Sequence, residues 1–249
     1  MKKSRLSWVP NALSLGNLSF GFVSMLISIE STKSSNPGGV FILAGIFIIL
    51  AAVFDGFDGI IARALNATSD LGAELDTLAD LTTFGIAPGV LMYEMILFNF
   101  RSGLPGFEQE FPFGMMIAAI FPICAAYRLA RFTVGHDPAY FDGLPSPIAG
   151  VLVALFPMTF YSMNVPAYIT IPTFVCIALL MVSKIRYSKP QVAMRGKLTR
   201  GKLMILLSGL LAIFILAGLN RFPMVLYAII LFYVFTGIVS FLIHLIQEI

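Results

Sequence analysis

Long apolar runs constrain this chain more than any other feature. A helix needs about 20 apolar residues to cross a bilayer core. Eight stretches reach or approach that length: residues 11–29, 40–64, 71–98, 113–132, 147–163, 167–182, 203–219 and 222–246. Of the 249 residues, 58% are hydrophobic and 12% charged, whereas an ordinary soluble domain carries about 25% charged residues. The surplus apolar surface has to face lipid. The expectation is an all-α, polytopic transmembrane helical bundle. A six-helix core would occupy residues 1–185, with a basic loop and two additional helices over residues 186–249. Lys2, Lys3 and Arg5 precede the first run, but no small-residue cleavage site follows, so it reads as a retained first helix. Cys124 and Cys176 lie in apolar runs without a CxxC pattern and read as small core residues.

The basic residues set an expected orientation. With the N-terminus inside, thirteen of the sixteen Lys and Arg fall on the cytoplasmic side, and only Lys33, Arg101 and Arg221 fall outside. Basic loops favour the cytoplasm, so the expectation is a multi-pass protein of the cytoplasmic membrane with its working end facing the cytoplasm. The basic loop 184–202 suits anionic lipid headgroups rather than nucleic acid. Trp8, beside Arg5, suits an interfacial anchor.

Against this apolar background, four carboxylates stand out. Asp55 and Asp58 are three apart, and Asp76 and Asp80 are four apart, so each pair shares one helix face. A turn at residues 67–70 would make the two helices antiparallel neighbours, and all four side chains would meet near the cytoplasmic boundary. One Asp at a helix centre costs about 2.5–3.5 kcal/mol to insert, so four cost on the order of 10 kcal/mol before mutual repulsion. A cation offsets that cost. Oxygen donors without His or Cys suit Mg²⁺ or Mn²⁺ rather than zinc, and four carboxylates can hold two ions, an arrangement suited to displacement at phosphorus. Gly56, Gly59 and Ala62 would leave one face of their helix bare for a nucleotide, and Arg63 can pair with phosphate. Gly85 and Gly89, around Pro88, read as a close helix contact with a proline kink.

From Asp55 to Asp80 the spacing reads D-x2-D-G-x2-A-R-x8-G-x3-D-x3-D, which resembles the signature of the CDP-alcohol phosphotransferase family. The resemblance covers about the first 185 residues. It implies that Asp55, Asp58, Asp76 and Asp80 are metal ligands and that Asp80 also accepts a proton. It places Gly59, Arg63 and Ser69 at the CDP-lipid, with Ala62 and Gly72 in the same motif. Pro10-Asn11-x-x-Ser14 resembles a family stretch that touches the nucleotide, with Ser14 in place of the more usual Thr. The wording FDGFDGIIAR, GAELDTLADLTTFGIAP, RLARF and FDGLPSP is similar to the branch of the family that uses serine, with Thr77, Thr82 and Thr83 as mild departures. The implied reaction is CDP-diacylglycerol plus L-serine giving phosphatidylserine and CMP. Glycerol phosphate or inositol phosphate is the alternative acceptor, and a cation transporter is the alternative of another class. The resemblance also implies a homodimer, for which Gly45 and Ala44 are small residues able to pack helices closely.

Serine brings a carboxylate that needs a cationic partner in a partly dry cavity. Arg128 and Arg131, three apart on one helix face, are candidates for binding it, because arginine pairs with carboxylates through two donors. The other reading is that both reach toward anionic headgroups.

Overall fold

The protein is described by a computed structural model over residues 8–65, 67, 69–103, 110–134, 140–163, 165–188, 221–242 and 246. Its helices are α1 (Val9–Glu30), α2 (Pro37–Ala64), α3 (Asp70–Asp80), α4 (Ala87–Met95), α5 (Phe113–Val134), α6 (Ser146–Phe160) and α7 (Ala167–Val182), followed by α8 (Arg221–Leu242). Five stretches are long and apolar enough to cross a membrane: Val9–Lys33, Pro37–Ala62, Phe113–Val134, Ser146–Met163 and Arg221–Leu242. No more than half of each is buried inside the bundle, which leaves the lipid-facing surface that the composition demands. Ala167–Val182 is a shorter apolar helix. The expected span at 203–219 lies outside the described residues.

The first helix is built inside out. Its buried residues are Pro10, Ser14, Asn17, Gly21, Ser24 and Ser28, while Leu15, Phe22 and Leu26 are exposed. In lipid this pattern is stable, because apolar side chains lose nothing outside and polar ones need partners inside. The partners are present. Ser24 Oγ donates to the Ala44 carbonyl at 2.9 Å, tying α1 to α2. Thr83 Oγ1 donates to the Asn17 carbonyl at 3.0 Å, tying α1 to the middle of the bundle.

The expected third span is one run of helix with a changed middle. Between α3 and α4, Leu81–Ile86 is π-helical. Pro88 supplies the reason, since it has no N–H to offer the residue four before it. The Ala87 N–H reaches back five residues to the Thr82 carbonyl instead. The sequence suggested a kink here; the helix takes up the missing donor as a wider turn. That turn is closely packed against its neighbours. A Cβ on Gly21 would lie 2.8 Å from Thr83 Cα, and one on Gly150 would lie 2.9 Å from Phe84 Cα. Gly85 and Gly89 do make close contacts, against Ala125 and the Ala118 carbonyl of α5.

Gly45 and Ala44 serve contacts within the chain. A Cβ on Gly45 would run into the Ala154 carbonyl of α6, and Ala44 is fully buried. Cys124 is buried as expected, but Cys176 is exposed on α7. The buried face of α7 carries Thr170, Phe174, Ile177, Ala178 and Met181, and position 176 falls on the other side of the helix, where a small apolar residue suits lipid.

Two short ribbons supplement the helices. Ser102–Gly103 (β1) pairs antiparallel with Glu110–Phe111 (β2). Tyr140–Asp142 (β3) pairs antiparallel with Arg186–Ser188 (β4), with Phe141 opposite Tyr187. At Gly143 the chain turns with φ of 80°, and a Cβ there would meet the Met181 carbonyl, so only glycine fits. The last helix packs on this unit. Tyr233 of α8 lies against Tyr187 at 5.6 Å between rings, Tyr227 meets Phe160 edge-on at 5.0 Å, and Gly237 sits directly under Tyr187.

Candidate active site

Asp55 and Asp58 project from the last three turns of α2, and Asp76 and Asp80 from the last two turns of α3. Their spacing suggested that these two helices pair directly. The close backbone packing is instead α1 on each of them, so α1 becomes a third wall of the space where the carboxylates meet. Oxygens of Asp55, Asp76 and Asp80 lie within 4.8 Å of one another. Asp58, 6% exposed, joins them through Asp76, whose carboxylate stands within hydrogen-bonding reach of both Asp55 and Asp58. Asp76 Oδ1 is buried and has no hydrogen-bond partner among the described residues. Closely packed carboxylate oxygens, one of them buried without a proton donor, fit a divalent cation: hard donors in this number suit Mg²⁺ or Mn²⁺. The residues present therefore match the metal that the motif implies.

Beside the carboxylates opens a cavity of about 160 Å³. Pro10, Asn11 and Ser14 of α1, Asp58, Gly59 and Ala62 of α2, Ala67 and Ser69 of the turn, and Gly72, Ala73 and Asp76 of α3 line it. The predicted nucleotide-lipid residues Asn11, Ser14, Gly59, Ala62, Ser69 and Gly72 thus share one space with two of the carboxylates. Local chemistry holds each wall. Ser14 Oγ lies 3.1 Å from Asp58 Oδ2 and 3.2 Å from the Pro10 carbonyl, so its one proton serves either. Ser69 caps α3, its Oγ accepting the Gly72 N–H at 3.1 Å, as hydroxyl residues do at helix starts. A Cβ on Gly72 would sit 2.9 Å from Asn11 Oδ1, so glycine keeps this corner open. Gly56 does not line the cavity: it is exposed, with nothing within 4 Å of a Cβ built on it. It lies about 100° round the helix from Asp55. The Arg63 backbone closes α2 at the cavity end, and its side chain lies outside the described residues.

The two arginines separate in role. Arg128, 6% exposed, donates to Ser146 Oγ at 2.7 Å and interacts electrostatically with the Asp80 carboxylate. It is buried and within electrostatic reach of the acidic cluster. Arg131 donates to three backbone carbonyls: to Val182 and Ser183 at 3.3 Å each, and to Asp142 more closely. It fastens the β3 turn to the end of α7.

One residue was missed from the sequence. Asn17, fully buried, donates from Nδ2 to Asp80 Oδ1 at 3.4 Å. The signal was available: Asn11, Ser14 and Asn17 recur every three residues in an apolar helix, marking a polar stripe. Which carboxylate the stripe meets depends on how α1 packs, and no local spacing carries that.

Comparison with known proteins agrees with this geometry. Residues 7–185 match the sequence profile described as CDP-alcohol phosphatidyltransferase. The CDP-diacylglycerol–serine O-phosphatidyltransferase of Bacillus subtilis is 34% identical over 187 residues, covering 73% of this chain and 90% of that protein. The enzyme of the same name from Helicobacter pylori is 36% identical over 155 residues, 59% of this chain and 61% of that one. The archaetidylserine synthase of Methanothermobacter thermautotrophicus is 31% identical over 185 residues, 73% and 70% respectively. The family match takes in α1 to α7, including every carboxylate and every lining residue of the cavity, and the chain belongs to the CDP-alcohol phosphatidyltransferase family.

Proposed function

We propose that the protein transfers the phosphatidyl group of CDP-diacylglycerol to L-serine, giving phosphatidylserine and CMP. The observation that carries this reading is the junction of the cavity with the acidic cluster, in which Asp58 and Asp76 belong to both. The acceptor is assigned from relatives whose names specify serine and from a buried cation, Arg128, that interacts electrostatically with Asp80.

The CDP moiety lies along Asn11, Ser14, Gly59, Ala62, Ser69 and Gly72, and Arg63 is a residue that the family resemblance assigns to the CDP-lipid. Asp55, Asp58, Asp76 and Asp80 would hold divalent ions, Mg²⁺ or Mn²⁺, whose charge would offset that of the diphosphate and the departing CMP. The serine hydroxyl oxygen forms the new bond to the lipid-side phosphorus as the bond to the CMP oxygen breaks. Asp80 takes the hydroxyl proton. Arg128 pairs with the serine carboxylate, and Ser146 holds the guanidinium in place. Arg131 supports that wall through the carbonyls it binds. A transport reading fits less well, because the carboxylates gather at one end of two helices and do not trace a path through the membrane depth.

The basic asymmetry supports an orientation with the N-terminus and the cavity on the cytoplasmic side of the cell membrane. Residues 10–14 and 62–73 lie at that same end. The resemblance implies a homodimer, and since Gly45 and Ala44 are occupied within the chain, its interface uses other surfaces. A mass measurement in mild detergent that finds only monomer at all concentrations refutes the dimer. The reaction is tested by incubating purified protein with CDP-diacylglycerol, Mn²⁺ and L-serine, glycerol 3-phosphate or inositol phosphate, then identifying the lipid product. Serine-dependent CMP release with phosphatidylserine as product is expected. A product formed only with another alcohol overturns the serine assignment.

A further inference from the structure

Asn17 stands one turn deeper in α1 than Ser14, beyond the cavity and next to Asp80. Its side chain is fully buried, and Oδ1 has no hydrogen-bond partner among the described residues. The orientation of the amide is dictated by chemistry. Only the NH₂ end can face a carboxylate oxygen, since the reversed amide would set oxygen against oxygen. The backbone beneath it is fixed, because its carbonyl accepts the buried Thr83 hydroxyl at 3.0 Å. A rigid, buried acceptor without a donor is costly unless something supplies one.

We propose that Asn17 recognises the ammonium group of the acceptor, its Oδ1 accepting an N–H from the incoming amino acid while its NH₂ steadies Asp80. The inference rests on the serine reading above and assigns the one polar group of serine that reading left without a partner. The carboxylate has no proton to donate and goes to Arg128. The hydroxyl proton goes to Asp80. Only the ammonium retains donors, and Oδ1 needs one. Asn17 and Arg128 approach Asp80 from α1 and α5 respectively, so the three groups give three-point recognition of an amino acid bearing a hydroxyl.

The test compares L-serine with 3-hydroxypropanoate, which is serine without its ammonium, read as substrate or as competitive inhibitor. Full-length wild type, Asn17→Leu and Asn17→Ala are assayed in detergent for CMP release from CDP-diacylglycerol with Mn²⁺. Thermal stabilisation by CDP-diacylglycerol identifies which variants retain a folded lipid site, and Asn17→Ala is used if the leucine variant does not fold. Loss of one hydrogen bond to a charged group predicts that the preference for serine over 3-hydroxypropanoate falls about 10- to 100-fold. Mn²⁺ binding, followed by electron paramagnetic resonance without acceptor, is expected to weaken about 10-fold as Asp80 loses its hydrogen bond, a loss common to both acceptors that leaves their ratio untouched. An unchanged preference, with both acceptors weakened alike, means Asn17 serves Asp80 alone and overturns the proposal. If wild type itself releases CMP with another alcohol but not with serine, the serine reading fails and this inference falls with it. If wild type uses serine and the variants keep their preference, only this inference fails.

Discussion

Replacing Asp76 by Asn separates the electrostatics of the site from its folding. Asp76 is the hub of the cluster, within reach of Asp55 and Asp58, and its Oδ1 is buried without a partner. Two unit charges at the 4.8 Å limit of the carboxylate group repel by about 3.5 kcal/mol at an effective dielectric constant of 20. Removing one charge therefore relieves repulsion in the metal-free protein, so Asp76→Asn in EDTA is expected to unfold at a higher temperature than wild type. With Mn²⁺ the order reverses. An ion at a hundred times its Kd stabilises the native state by about 2.7 kcal/mol, a rise of roughly 5–10 °C for a chain of this size. Wild type gains this and Asp76→Asn does not. Turnover, measured as CMP release, is expected to fall at least about 1,000-fold, the loss of a transition-state charge stabiliser worth about 4 kcal/mol. The assay is thermal unfolding in mild detergent with and without Mn²⁺, alongside CMP release. Full Mn²⁺ stabilisation of Asp76→Asn, or full wild-type activity in excess EDTA, refutes the metal role of the cluster.

Four further outcomes are expected. Gly72→Val pushes a branched side chain toward Asn11 Oδ1, 2.9 Å from the Cβ position; the KM for CDP-diacylglycerol should rise about 10-fold or more with the fold retained, as read by steady-state kinetics and circular dichroism. Gly45→Val drives a Cβ into the Ala154 carbonyl and should cost about 1–3 kcal/mol of overpacking, seen as a melting temperature several degrees lower. Arg128→Lys removes the two-donor pairing and should raise the serine KM about 10-fold or more while the CDP-diacylglycerol KM holds. Arg131→Lys, which gives up carbonyl contacts at Val182 and Ser183, should instead lower stability by about 1–3 kcal/mol. Equal effects of the two arginine variants on serine KM would contradict the division of roles.

The membrane bundle and the acidic motif were legible because both are local. A run of apolar residues meets the thickness of a bilayer whatever its neighbours do, and carboxylates three or four apart share a face of any helix. Asp55, Asp58, Asp76 and Asp80 could therefore be grouped, and the need for a cation argued, before any packing was known. What the tertiary structure decided concerns pairs distant in sequence. Asn17 and Asp80 are 63 residues apart, and Arg131 and Val182 are 51 apart. Gly45 resembles a dimer contact in sequence and is spent on α6 instead. Arg128 and Arg131 look equivalent at a spacing of three, yet one reaches Ser146 and the other a set of backbone carbonyls. The physical reason is one of range. Helix periodicity fixes which side chains share a face, but the element that face meets, and hence the partner of each buried polar group, is settled only when all the helices have packed.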